Sequence, residues 1–274
     1  MTAAAPGPGP RRDHALLVEA VRAAGALAMA YRGRDFERWE KRPGDPVTAA
    51  DLAVDAQLKQ ALHGARPGYG WLSEESEDDP GRLAASHVWI VDPIDGTRAF
   101  IDGRPEFTVS AALAVDGAPA AAAVFHPATG ELFDAVAGGG ARRDGVPIRV
   151  GDAGSLAGAR LLVSRTEMRR AGWLERLPET RATPISSMAY KLALVASGRF
   201  DATVTLWPKN EWDVAAADLL VREAGGRVTD ADGAGFAYNR ADPGLRAVVA
   251  AGPRLHEALL DRLAGIDDPA VPLA

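Results

Sequence analysis

The stretch from Trp89 to Phe100, WIVDPIDGTRAF, constrains the chain more than any other. Val88 to Val91 is a short β-type apolar run that stops abruptly at Asp92, Pro93, Ile94, Asp95 and Gly96. The proline fixes its own φ near about −65°, and Gly96 follows where a tight turn needs it. Two carboxylates therefore project from one rigid corner at the C-terminal end of a strand, where ligands of α/β sheets tend to bind. Crowding two anions is unfavourable unless cations neutralise them, and hard divalent cations prefer oxygen ligands, backbone carbonyls included. Magnesium is the natural guest, although the stretch taken alone is equally an Asp-Pro, Asp-Gly turn.

Three other segments supply acids in suggestive places. Ser73, Glu74, Glu75 and Ser76 follow the apolar run Tyr69 to Leu72, where an acidic run is ordinarily a solvated face. DPVTAAD, residues 45 to 51, puts Asp51 at a helix start, where it would complement the helix dipole. EWDVAAADLLVREAGG puts Asp213 at another helix start with Gly225 and Gly226 as its stop, and capping alone would explain that aspartate. Each segment is ambiguous singly, whereas all four in this order are not.

The rest of the chain frames these acids. Residues 1–12 are Ala/Pro/Gly-rich with nothing to bury and are expected to be a disordered leader. Helical spacing runs from Asp13 to about Gly33 and again from Val47 to Leu62. Phe107–Val115, Ala120–Phe125 and Leu132–Val136 read as an antiparallel meander. The second half alternates strands (Arg160–Ser164, Ala202–Leu206, Arg227–Asp230, Leu245–Ala250) with helices (Glu167–Arg176, Met188–Ser197, Val214–Glu223, Pro253–Leu263). This pattern predicts an α/β (α+β) protein of layered elements. Residues 13–265 are expected to form one domain of two packed halves, with a soft boundary near 151–154 and a tail at 266–274. With 31 Lys and Arg against 37 Asp and Glu, the net charge of −6 offers no field for a nucleic acid polymer. Zero cysteines remove thiolate metal sites and cysteine nucleophiles. Without an apolar run of membrane-spanning length or a signal sequence, the expectation is a cytoplasmic protein with no membrane partner.

DPVTAAD at 45–51, SEES at 73–76, WIVDPIDGTxxF at 89–100 and WDVAAAxLLVxEAGG at 212–226 together resemble the inositol monophosphatase family over roughly residues 13 to 265. That family includes 3′(2′),5′-bisphosphate nucleotidases and is related to fructose-1,6-bisphosphatases. The resemblance implies a layered α/β/α/β/α sandwich and Mg²⁺-dependent, lithium-sensitive phosphomonoester hydrolysis with two or three Mg²⁺ ions. It implies Glu74, Asp92 and the Ile94 carbonyl as ligands of one metal, and Asp92, Asp95 and Asp213 as ligands of a second. Asp51 and the Thr97 hydroxyl are implied to orient and deprotonate the attacking water, and the amides of Gly96 and Thr97 to cradle phosphate. A homodimer acting on a small phosphorylated metabolite would fit the family.

Two features bear on the substrate. Family inositol phosphatases carry a glutamate about seven residues ahead of the aspartate at 213, but Ala202 to Asn210 contains no acid and position 206 is leucine. Ser187 and Lys191, within Ser186–Lys191, resemble the bisphosphate nucleotidases. They are expected to bind substrate together with Gly96, Thr97 and Asp213, with Lys191 facing a second phosphate. The neighbourhood of Leu206 and Trp207 is expected to offer a surface for a nucleobase or ribose. The leading expectation is hydrolysis of adenosine 3′,5′-bisphosphate to AMP. An inositol-1-monophosphatase or a broad sugar phosphatase such as a fructose-1,6-bisphosphatase is the alternative, and a non-catalytic metal- or nucleotide-binding protein a remote one.

Overall fold

In the computed structural model the described residues are 10–170 and 172–265. Helix α1 (Pro10–Tyr31) leads into a hairpin, β1 (Arg38–Arg42) and β2 (Asp45–Thr48), and then helix α2 (Ala49–Ala65). Seven strands follow: β3 (Gly70–Ser73), β4 (His87–Asp95), β5 (Thr108–Val115), β6 (Ala118–His126), β7 (Glu131–Val136), β8 (Ala141–Arg143) and β9 (Val146–Pro147). They form one sheet in chain order, with β3 parallel to β4 and every later pair antiparallel. A short helix, α3 (Thr97–Ile101), separates β4 from β5.

The second half runs β10 (Arg160–Val163), α4 (Arg165–Arg170), β11 (Arg181–Pro184), α5 (Met188–Ala196), β12 (Ala202–Thr205), β13 (Lys209–Asn210), α6 (Glu211–Glu223), β14 (Arg227–Thr229), β15 (Gly244–Leu245), β16 (Val248–Ala251) and α7 (Pro253–Leu263). Its main sheet has the order β11-β10-β12-β16-β14, and β13 pairs with β15 alone.

Strand alternation assigns each face. Trp89 and Val91 of β4, Ala111 and Leu113 of β5, and Ala121 and Ala123 of β6 pack with α1 and α2. The intervening Val88, Ile90, Ala112, Ala114, Ala122 and Val124 turn the other way, against α5 and α6. Those two helices meet Leu162, Val228, Val248 and Ala250 of the second sheet on their far side. Leu161, Val163, Val204 and Val249 face outward again, beneath Leu255, Leu259 and Leu263 of α7. The result is five layers, α/β/α/β/α, as the resemblance implies. The middle cluster joins both halves of the chain across the 151–154 boundary. Ala215, Ala216 and Ala217 of α6 lie in that middle layer, where small side chains let a helix approach the sheet closely.

Several elements differ from the sequence expectations. Pro10, Arg11 and Arg12, expected in the leader, form the first turn of α1, where proline is pre-organised for a helix. Residues 1–9 and the 266–274 tail lie outside the described residues. Helix α2 begins at Ala49 because Thr48 is an extended N-cap (φ −127°, ψ 164°) and Val47 belongs to the hairpin. The helix expected over Glu167–Arg176 is α4 followed by a separate 3₁₀ turn, Gly172–Arg176. The strand expected over Leu245–Ala250 divides into β15 and β16, which join different sheets.

Candidate active site

The corner at the end of β4 is shaped by a β-bulge. Asp92 pairs with Ser110 and Asp95 with Thr108, so β4 advances three residues while β5 advances two. Residues three apart on a regular strand point to opposite faces. The extra residue corrects the parity, and Asp92, Asp95 and Asp213 each place a carboxylate oxygen within 4.8 Å of the others. Gly96 closes the corner at φ 101°, where a Cβ would sit 2.8 Å from the Glu106 carbonyl oxygen. Only glycine fits there. It is the N-cap of α3, whose first residue, Thr97, has its hydroxyl 3.1 Å from both Asp51 Oδ1 and the Ile94 carbonyl oxygen.

Two helices bring an aspartate to this corner from their first turns. Asp51 Oδ2 accepts the Thr48 amide at 2.8 Å and the Thr48 hydroxyl at 2.5 Å, while Thr48 Oγ1 accepts the Ala50 amide at 3.2 Å. This is a capping box, and it leaves Oδ1 for Thr97. Asp213 Oδ2 likewise accepts the Asn210 amide at 2.6 Å. Capping and site are thus the same residues, one oxygen serving each purpose at Asp51. Glu74 follows β3, and its amide donates to the Val91 carbonyl at 3.3 Å. Lys41 Nζ donates to Glu74 and to Glu75 at 2.9 Å each. The Ser73 and Ser76 hydroxyls each lie 2.5 Å from a carboxylate oxygen of Asp55, one turn beyond Asp51. The acidic run is therefore tied down rather than solvated.

The carboxylates differ in how they are satisfied. Asp95 accepts the Ser187 hydroxyl at 2.6 Å and the amides of Met188 and Ala189 at 3.1 and 2.6 Å. Burial, with the Asp213 charge, still pushes its pKa up to about 6. Burial and the Asp213 charge raise Glu74 to about 8 despite Lys41. Asp92 is 1% exposed and neither of its oxygens has a hydrogen-bond donor. Burial first, then the charges of Glu74, Asp95 and Asp213, drive it well above the carboxylate range. A buried carboxylate without a donor is strongly disfavoured. A divalent cation among these all-oxygen groups supplies the missing partner, so the residues fit Mg²⁺.

A cavity of about 550 Å³ opens over the corner. Glu74, Asp92, Asp95, Gly96, Thr97 and Asp213 line it. Arg104, Arg165 and Arg169, with Ser164, Thr166 and Ser186, line it as well, and Lys209 and Asn210 also face it. Two residues expected to touch substrate are placed elsewhere. Ser187 is fully buried as the N-cap of α5, its hydroxyl turned to Asp95 and accepting the Tyr190 amide. Lys191 is 1% exposed and does not line the cavity. Burial lowers its pKa to about 8, against the opposing pull of Glu167. All nine residues of its helix are buried, and the lysine lies in the interior, within reach of the charges of Asp95 and Asp213. Leu206 packs in the outer core, and neither it nor Trp207 lines the cavity. Lys41, Asp55, Arg165 and Arg169 were not foreseen. Of these only Asp55, one turn from Asp51 in DPVTAADLAVD, had a readable signal.

The model of the inositol monophosphatase family matches residues 11–267. An inositol-1-monophosphatase of Rhizobium meliloti is 40% identical over 205 residues, 71% of this chain and 76% of that protein. The crystal structure of extragenic suppressor protein suhB from Bartonella henselae superposes with a TM-score of 0.82 at 30% identity, covering 92% of this chain and 98% of that one. The inositol monophosphatase from Anabaena sp. PCC 7120 does so with a TM-score of 0.79 at 29% identity, covering 92% and 95%. Among the described residues no helix is long and apolar enough to cross a membrane. The bulged aspartate corner, the two capped aspartates and the five-layered fold thus stand in a chain that belongs to the inositol monophosphatase family of metal-dependent phosphomonoester hydrolases.

Proposed function

We propose that the chain hydrolyses the 3′-phosphate of adenosine 3′,5′-bisphosphate, releasing AMP and phosphate. The observation that carries this reading is the cavity wall ahead of Asp213. It presents Lys209 and Asn210, and residues 202–210 supply no carboxylate to hold polyol hydroxyls. The one acid nearby, Glu211, is buried and accepts the amides of Asn239 and Arg240 instead. A site without the acceptor discriminates against a ligand that needs it.

Glu74, Asp92, the Ile94 carbonyl, Asp95 and Asp213 would hold Mg²⁺. When bound, the ions neutralise the phosphate dianion and make water more acidic. The chain's own groups do the positioning. Thr97 donates to Asp51 Oδ1, leaving its oxygen lone pairs to accept a proton from the attacking water. Asp51, raised above the ordinary aspartate range by burial, then takes the proton through that hydroxyl. The backbone of Gly96 and Thr97 sits against the phosphate.

The test is kcat/KM for adenosine 3′,5′-bisphosphate, inositol 1-phosphate and fructose 1,6-bisphosphate at equal Mg²⁺. The nucleotide should lead inositol 1-phosphate by at least ~10-fold, about 1.4 kcal/mol of transition-state binding. The second reading, inositol 1-phosphate hydrolysis, is favoured by the relative that carries that name, and a reversed ranking would install it.

A further inference from the structure

The cavity is lined by two chemically distinct sets of side chains, and the proposed reaction uses only one. In the acidic set, Glu74, Asp92, Asp95 and Asp213 carry four negative charges that two divalent ions would balance, leaving metal coordination to take one phosphate. The basic set is not needed for that phosphate. Arg165 and Arg169 stand four residues apart on α4, hence on one face of the helix, and both line the cavity. Like charges in this arrangement repel. Glu106 takes the Arg165 Nη2 at 2.7 Å, but the Arg165 Nε is buried without a partner. Arg169 makes no ion pair or side-chain hydrogen bond among the described residues. Arg104 shares Glu106 with Arg165, is held by Asp102 and donates to Ser186 Oγ at 3.0 Å, which fixes a third guanidinium beside them. An unsatisfied buried N–H, an unpaired guanidinium and a like-charged pair facing one space are all relieved by an anion with several oxygens.

We propose that Arg165 and Arg169, with Arg104 beside them, form a subsite for a second anionic group on the substrate, a phosphate carried on the same molecule as the scissile ester. This deepens the bisphosphate reading and rests on it for the identity of the preferred substrate, but it transfers the second-phosphate role from Lys191, which is buried and does not line the cavity, to α4. Arg165 and Arg169 act in specificity and not in bond cleavage, because neither takes part in the bulge and capping contacts that build the aspartate corner.

The experiment compares two substrate pairs in the Mg²⁺-loaded full chain: adenosine 3′,5′-bisphosphate with adenosine 3′-monophosphate, and fructose 1,6-bisphosphate with fructose 1-phosphate. The readout is the bisphosphate-to-monophosphate ratio of kcat/KM in the wild type, in Arg165→Gln/Arg169→Gln and in Arg169→Gln alone. The last removes only an exposed, unpaired side chain and so guards against misfolding. In the double variant the wild-type ratio should fall by roughly 10²-fold, chiefly through KM, and in the single variant by about 10-fold, on the scale of lost charge-assisted hydrogen bonds. A collapse of the fructose ratio in a protein that ignores the nucleotide would uphold the subsite and refute the nucleotidase. A wild-type preference for the nucleotide bisphosphate that survives both variants would overturn the subsite while leaving the nucleotidase standing. No wild-type preference for a second phosphate in either pair would overturn the subsite outright.

Discussion

The two halves of the chain meet at one cavity and treat its aspartates differently. The half built on the seven-stranded sheet brings Asp51, Glu74, Asp92 and Asp95. The half built on the five-stranded sheet brings Asp213, but also the groups that hold Asp95: the Ser187 hydroxyl and two α5 amides. Asp95 and Asp92, three residues apart, show what that difference does. The second half reaches Asp95 and satisfies it with three donors. It does not reach Asp92, which is left buried with none. One aspartate is positioned by protein; the other is reserved for a cation.

Removing the unpartnered charge tests that contrast most severely. Asp92→Asn should lower kcat by on the order of 10³-fold or more, since the site would lose a carboxylate that would hold Mg²⁺ and with it electrostatic stabilisation of the transition state. In EDTA the same variant should melt higher than wild type, because asparagine cannot ionise where burial and three neighbouring carboxylates disfavour a charge. Loss of activity with a lower melting temperature would mean Asp92 is structurally satisfied after all.

Ser187→Ala sharpens the comparison from the other side. It removes one donor from Asp95 and the α5 N-cap together, so stability should drop by about 1 kcal/mol, read by urea denaturation. Turnover should fall by only about 10-fold, with the Mg²⁺ dependence shifted to higher concentration, as expected for a positioning residue. A normal Mg²⁺ dependence would separate the cap from the site.

The smallest effect is a pH dependence. Glu74 at about 8 and Asp95 at about 6 lie above their ordinary 4.5 and 3.8. Between about pH 4.5 and 8 the folded, metal-free protein therefore holds more protons than the unfolded chain, and its stability falls as pH rises. Calorimetry in EDTA should give a higher melting temperature at pH 6 than at pH 8, and Mg²⁺ should raise it more at pH 8. A flat profile would remove the strain assigned to the acidic set.

Much of this was legible because it follows from local rules. Alternating apolar residues in β4 to β6 gave the sheet faces, and the spacing around Thr48–Asp51 and Asn210–Asp213 marked helix starts. The bulge between Asp92 and Asp95 was not legible, since it depends on register with β5. Ser187 and Lys191 misled for a related reason. A lysine on a helix reads as facing solvent or ligand, but α5 lies between two sheets with all nine of its residues buried, so no face is left to expose. Lys41 reaches Glu74 only because the β1–β2 hairpin folds over the corner, and KRPGDP announces nothing but the turn. The arginines of α4 became visible as a group only when the cavity brought them together with Arg104 from the other half.

The central claim is that the acids gathered at the β4 corner work only with a divalent cation. Phosphate release measured after exhaustive EDTA treatment, and again after adding Mg²⁺, tests it directly. Activity should vanish with the chelator and return with the metal. Undiminished turnover in excess EDTA would contradict the account.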